Sequence, residues 1–91
     1  MIILQTPLFG RQLKKLSQKR KLDVEEAVKK IACEPFIGEQ KKGDLRDIRV
    51  YKFRIQDCLY LLAYIENAEK ICLIALGNHE NFYRDLKKHL S

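Results

Sequence analysis

The sequence predicts an α+β fold: a short N-terminal strand, a two-helix hairpin, a three-stranded antiparallel meander and a C-terminal helix, with the helices packed on one face of a small antiparallel-rich sheet. Three observations carry this reading. Apolar residues recur at spacings of three and four between residues 7 and 31, the period of a buried helix face. Three β-rich runs, IRVYKFRI (48–55), CLYLLAYIE (58–66) and KICLIALG (70–77), then follow across gaps short enough for antiparallel hairpins. The chain returns to helical spacing in NHENFYRDLKKHL, where Phe82, Leu86 and Leu90 fall on one stripe.

Each element has a local reason. MIILQ (1–5) is a short apolar strand, and Thr6-Pro7 supplies an N-cap oxygen followed by a proline at the first helical position. Leu8, Phe9, Leu13 and Leu16 make the buried stripe of the first helix. Arg11, Lys14, Lys15, Gln18, Lys19, Arg20 and Lys21 face outward, as a solvated or a binding face. A second helix is expected from Asp23, capped reciprocally with Glu26, burying Val24, Ala27, Val28 and Ile31 and ending before Pro35. Residues 34–47, EPFIGEQKKGDLRD, hold one proline and two glycines without periodicity and read as a loop. In the first β-rich run, alternation puts Tyr51, Phe53 and Ile55 on one face and Val50, Lys52 and Arg54 on the other. The closing helix is expected over 79–90, with Asn78 as its cap.

A chain of 91 residues is expected to form a single domain, 1–91, around one core. Apolar residues make up 46% and charged ones 33%, which excludes a compositionally disordered chain. No apolar run approaches the ~20 residues of a spanning helix. The N-terminus lacks the basic-then-apolar order of a secretory signal, so no membrane association and a cytoplasmic location are expected. Cys33, Cys58 and Cys72 have no Cys-x-x-Cys spacing and read as reduced apolar fillers. A net charge of +6 points to a polyanion or an acidic protein as partner.

That charge is concentrated. Lys41, Lys42, Arg46, Arg49, Lys52 and Arg54 oppose only Asp44 and Asp47, four net positives over residues 41–54. Cations at Lys52 and Arg54, two apart on one strand face, repel each other unless an anion lies between them, and phosphate fits that chemistry. His79 falls where the last helix is expected to begin, a place whose free N–H groups favour an anion and a neutral, proton-exchanging imidazole. Tyr83 follows one turn later, its ring suited to stacking on a base and its hydroxyl to a phosphate oxygen, with Arg84 beside it. His89 sits near the far end of that helix, where a cation suits the dipole, and has no catalytic role. With no His/Cys cluster, no paired carboxylates and no glycine-rich phosphate loop, neither a metal nor a cofactor is expected.

The element order, together with GEQKKGDLRDIRVYKFRI, YLLAYI and LIALGNHENFYRDLKKHL, resembles the RelE/ParE superfamily of toxins from bacterial type II toxin–antitoxin systems over nearly all of the chain. The RVYKFR strand and the LGNHENFYRDLK ending are its most specific parts. The resemblance implies a toxin that enters the ribosomal A site and cuts mRNA there without metal, the 2′-hydroxyl attacking the adjacent phosphate. It further implies that Lys52 and Arg54 hold the scissile phosphate, that His79 is the general acid toward the leaving 5′ oxygen, and that Tyr83 orients base or phosphate. Lys41, Lys42, Arg46, Arg49 and Arg84 would bind RNA. The implied partners are a cognate antitoxin, the ribosome and mRNA, with promoter DNA reached only through the antitoxin. The chain departs from the pattern at Leu61, where RelE-like relatives carry an arginine ahead of the L-x-Y of the middle strand, and no residue stands out as general base. A ParE-like inhibitor of DNA gyrase that cuts nothing, and an inactive member that only binds its antitoxin, remain as alternatives.

Overall fold

The computed structural model describes residues 2–41, 43 and 47–90, except the side chains of residues 89 and 90. Its elements are β1 (Ile2–Gln5), α1 (Pro7–Lys14), α2 (Gln18–Cys33), β2 (Glu39–Gln40), β3 (Arg49–Ile55), β4 (Cys58–Asn67), β5 (Lys70–Asn78) and α3 (Phe82–Leu90). The strands form one sheet in the order β1-β5-β4-β3-β2, with β1 parallel to β5 and the remaining neighbours antiparallel. The expected meander is therefore β3–β4–β5. Within the segment read as a loop, Glu39 and Gln40 pair with Val50 and Arg49 as a two-residue edge strand.

Local chemistry explains where the helices start. Thr6 caps α1: its Oγ1 accepts from Phe9 N–H at 3.1 Å and donates to Ile74 C=O at 2.6 Å, tying the helix start to the sheet. Thr6→Ala removes both bonds and is expected to cost about 1–2 kcal/mol, seen as a lowered thermal midpoint. The second helix begins five residues before the expected Asp23, because Ser17 already provides a cap, its Oγ accepting from Arg20 N–H at 3.3 Å. The basic segment 18–22 thus forms the opening of α2. The last helix begins at Phe82 rather than at residue 79. Asn78 still makes a capping-type bond, Oδ1 accepting from Asn81 N–H at 3.1 Å, but it closes a turn that precedes the helix.

Alternation along the strands builds a core on each face of the sheet. On one face Ile55, Leu62, Tyr64, Ile71, Leu73 and Leu76 pack with Phe9, Val24 and Ile31 of the two-helix hairpin. On the other, Val50, Leu61, Ala63, Ile74 and Ala75 pack with Phe82 and Leu86, so α3 lies across from α1 and α2; the helices do not share one face as expected, because β4 and β5 are apolar on both faces and each needs cover. A bulge makes the second core possible. Ala63 pairs with Ala75 and Tyr64 with Leu73, which leaves Ile74 as an extra residue that joins Ala75 on the α3 side. Among the described residues the cysteines are free, and Cys33 and Cys58 are exposed rather than core fillers. No helix among these residues is long and apolar enough to cross a membrane.

Candidate nucleic-acid interface

The α3 side of the sheet is only partly covered. Lys52 stands opposite Leu61, which stands opposite Gly77, and the next row down is Arg54 opposite Leu59. The backbone N–H of His79 donates to Leu59 C=O at 3.2 Å, which continues the β4–β5 ladder by one residue and places His79 in the row of Arg54. Since alternate residues share a face, Lys52, Arg54 and His79 all belong to the face that carries α3. The two cations and the histidine are separated by one intervening strand, about 10 Å between backbones. Lys52, Arg54 and His79 are exposed, whereas Leu61 between them is fully buried. Leu61 is part of the apolar floor beneath these rows.

His79 lies in the turn between β5 and α3, three residues short of the helix. The expected helix-terminus setting for its ring is therefore absent, and its place is fixed by strand pairing instead. Arg54 Nη1 donates to Asp57 C=O at 3.4 Å, a long bond that folds the guanidinium toward its own hairpin turn. Lys52 and Arg54 also line a cleft of about 290 Å³ against Asp23, Glu26 and Lys30 of α2.

Tyr83 is half-buried on α3 and less free than the sequence implied. Its ring meets Phe82 edge-on at 5.1 Å between centroids, and Lys41 Nζ lies 5.3 Å from its centroid. Lys41 is also paired with Glu39 at 3.1 Å. Contact with Tyr83 is the main influence raising the Lys41 pKa, and Glu39 adds to it. The Glu39 carboxyl is in turn held below its ordinary value by Lys41 and, more weakly, by Lys52. Sequence reasoning missed Glu39, although the E-x-K alternation in GEQKK carries the signal once residues 39–41 are known to be extended. Arg84 is exposed, beside Asp85 at 3.6 Å.

Arg49 does not join this group. It pairs with Tyr64 across the sheet and therefore faces the α1–α2 side. Its Nη1 donates to Gly38 C=O at 2.9 Å and Phe36 C=O at 3.3 Å, and its guanidinium lies 4.8 Å from the centroid of the Phe36 ring. It clamps the loop that leads into β2. Gly38 sits so near Tyr64 that an added Cβ would come within 2.8 Å of the ring and of its oxygen. Gly38→Ala is expected to lower the urea midpoint by an amount equivalent to about 1–3 kcal/mol, since the fully buried Tyr64 ring cannot move aside and the loop must shift and strain its bonds to it. The expected RNA contacts Lys42 and Arg46 lie outside the described residues. Among the described residues no group of three or more His, Cys, Asp or Glu is placed to hold a metal ion.

A five-stranded sheet with a helical hairpin behind it, a short helix across its front and a cationic open face defines a small α+β protein built to meet an anionic partner. Residues 3–87 match the family model described as ParE-like toxin of type II bacterial toxin–antitoxin system, and the chain belongs to that family. Its fold is similar to that of the isolated E. coli RelE toxin, at 18% identity over 99% of this chain and 98% of that one, with a TM-score of 0.67. An arginine-to-alanine double mutant of E. coli RelE in the free state superimposes with a TM-score of 0.74, at 18% identity over 99% and 97% of the two chains. The YoeB/ParE toxin from Agrobacterium tumefaciens is similar at 15% identity over 87% of this chain and 99% of that one, with a TM-score of 0.64. No curated protein matches the sequence.

Proposed function

We propose that this toxin is a ribosome-dependent mRNA endoribonuclease that works without metal and acts in the cytoplasm. The observation that supports it is the placing of Lys52, Arg54 and His79 in neighbouring rows of one open sheet face. A phosphodiester lying over Leu59, between β3 and β5, has two cations on one side and an imidazole on the other. The 2′-hydroxyl gives up its proton to water as its oxygen attacks the adjacent phosphorus, and the bond from phosphorus to the 5′ oxygen breaks, leaving a 2′,3′-cyclic phosphate. Lys52 and Arg54 stabilise the added charge on the phosphoryl oxygens, and His79 delivers a proton to the departing 5′ oxygen. The same positive surface tracks ribosomal RNA, so association weakens steeply as salt rises.

A cognate antitoxin is the natural protein partner. The E. coli RelBE neighbour is a toxin–antitoxin complex, and a net charge of +6 suits an acidic or amphipathic segment. Promoter DNA is reached through that antitoxin. A second reading, a ParE-like gyrase inhibitor without nuclease activity, is favoured by one observation: the matching family model is named for ParE-like toxins. Mapping transcript 5′ ends after induction separates the two, with His79→Ala as control. Codon-register cuts that vanish in the variant support the ribonuclease; intact transcripts with inhibited supercoiling support the gyrase inhibitor and overturn the first reading.

A further inference from the structure

Beside the open rows, Glu39, Lys41 and Tyr83 form a contact to which neither reading gives a role. Glu39 and Lys41 are alternate residues at β2, and Glu39 is opposite Val50, so both share the face of Val50 and Lys52. The Lys41 side chain is 20% exposed while that of Glu39 is 66% exposed. The ammonium is thus tucked against α3, and the carboxylate caps it from the rim. A lysine kept only for phosphate gains from remaining solvated and mobile, because fixing so long a side chain costs rotamer entropy. Here the ammonium is fixed from two sides, by a carboxylate at 3.1 Å and by an aromatic ring at 5.3 Å.

The ring it meets already packs edge-on against Phe82, so Lys41 adds a second contact to it. α3 is anchored through Phe82 and Leu86, both buried, whereas Tyr83 sits at the flank of the first turn and is half-buried. We propose that Lys41, steadied by Glu39, is a positioning residue for Tyr83, holding its ring at the edge of the open face instead of binding phosphate itself. What Tyr83 then does rests on the ribonuclease reading. The contact that positions it does not.

The test uses Lys41→Met, which keeps the stem and removes the charge, and Lys41→Arg, which restores a cation able to lie over the ring. In Lys41→Met the Tyr83 ring resonances are expected to move while the thermal midpoint stays near that of the wild type. Ribosomal mRNA cleavage should lose about fivefold in kcat with KM unchanged, Lys41→Arg recovering most of it. The Lys41→Met/Tyr83→Ala double variant should be no slower than Tyr83→Ala alone. Unmoved Tyr83 resonances, a raised KM with kcat intact, or losses that multiply in the double variant would each overturn the proposal. Should the wild-type protein cut no RNA, the ribonuclease reading falls, and the resonances alone decide the contact: displaced, they support it; unmoved, they sink it.

Discussion

Tyr64→Ala is expected to destabilise the protein by about 3–5 kcal/mol, a large part of what holds a domain of this size folded. Tyr64 is fully buried in the core beneath the helical hairpin, packed with Phe9, Leu62, Leu73 and Leu76. Its hydroxyl donates to Pro35 C=O at 2.7 Å and accepts from Gly38 N–H at 2.9 Å, so one side chain both fills the core and pins the loop before β2. Tyr64→Phe keeps the volume but strips the loop of both partners, and should cost about 1–3 kcal/mol. The second variant also carries a pH signature. Burial raises the pKa of this hydroxyl above its ordinary value of 10.0, so the folded state favours the protonated form. That contribution is complete below the unfolded value and is lost as pH climbs through the folded one. The gap between wild type and Tyr64→Phe in urea unfolding should therefore narrow in alkali. A constant gap from neutral pH to above 10 would show that the phenol stays equally protonated in both states.

The second large effect is expected on the chemistry. If the toxin is the ribonuclease proposed above, Lys52→Ala should slow ribosomal mRNA cleavage by about 10²–10³-fold, the typical loss when a charge that stabilises the transition state is deleted. For His79→Ala the expected loss is about 10²–10⁴-fold, that of a general acid. Both side chains are exposed, so neither change should shift the thermal midpoint appreciably. The combination of lost cleavage and unchanged stability is what single-turnover kinetics and thermal unfolding would read. Full activity in Lys52→Ala would remove the open face from the reaction. Arg49→Ala should behave in the opposite way, with lowered stability, because its guanidinium holds the 36–38 loop on the far face.

Local signals were enough to locate most elements. Thr6-Pro7 opened α1 where the cap rule puts it, and strict alternation in RVYKFRI placed Lys52 and Arg54 on one face and Tyr51 and Phe53 on the other. The misplacements were local too. Ser17 is hard to read as a cap because the basic residues after it carry no apolar period, and Asn78, which reads as the start of a helix, closes a turn instead. The family was legible for a related reason, since its element order and its strand and helix-ending motifs are written in consecutive residues.

What the sequence by itself determined is the set of strands and helices apart from β2, their order, and the cationic character of one strand face; each follows from periods and caps read within a few residues. Only the tertiary structure decided which cations act together. Pairing of β3 with β4 and of β4 with β5 set Lys52 and Arg54 one strand away from His79 on the same face, whereas the alternation within β3 already put Arg49 on the other. The placing of α3 brought Tyr83 onto Lys41, some forty positions earlier in the chain. Such meetings depend on strand order and helix docking, which are settled by burying two apolar cores at once, and no short stretch of residues contains that information.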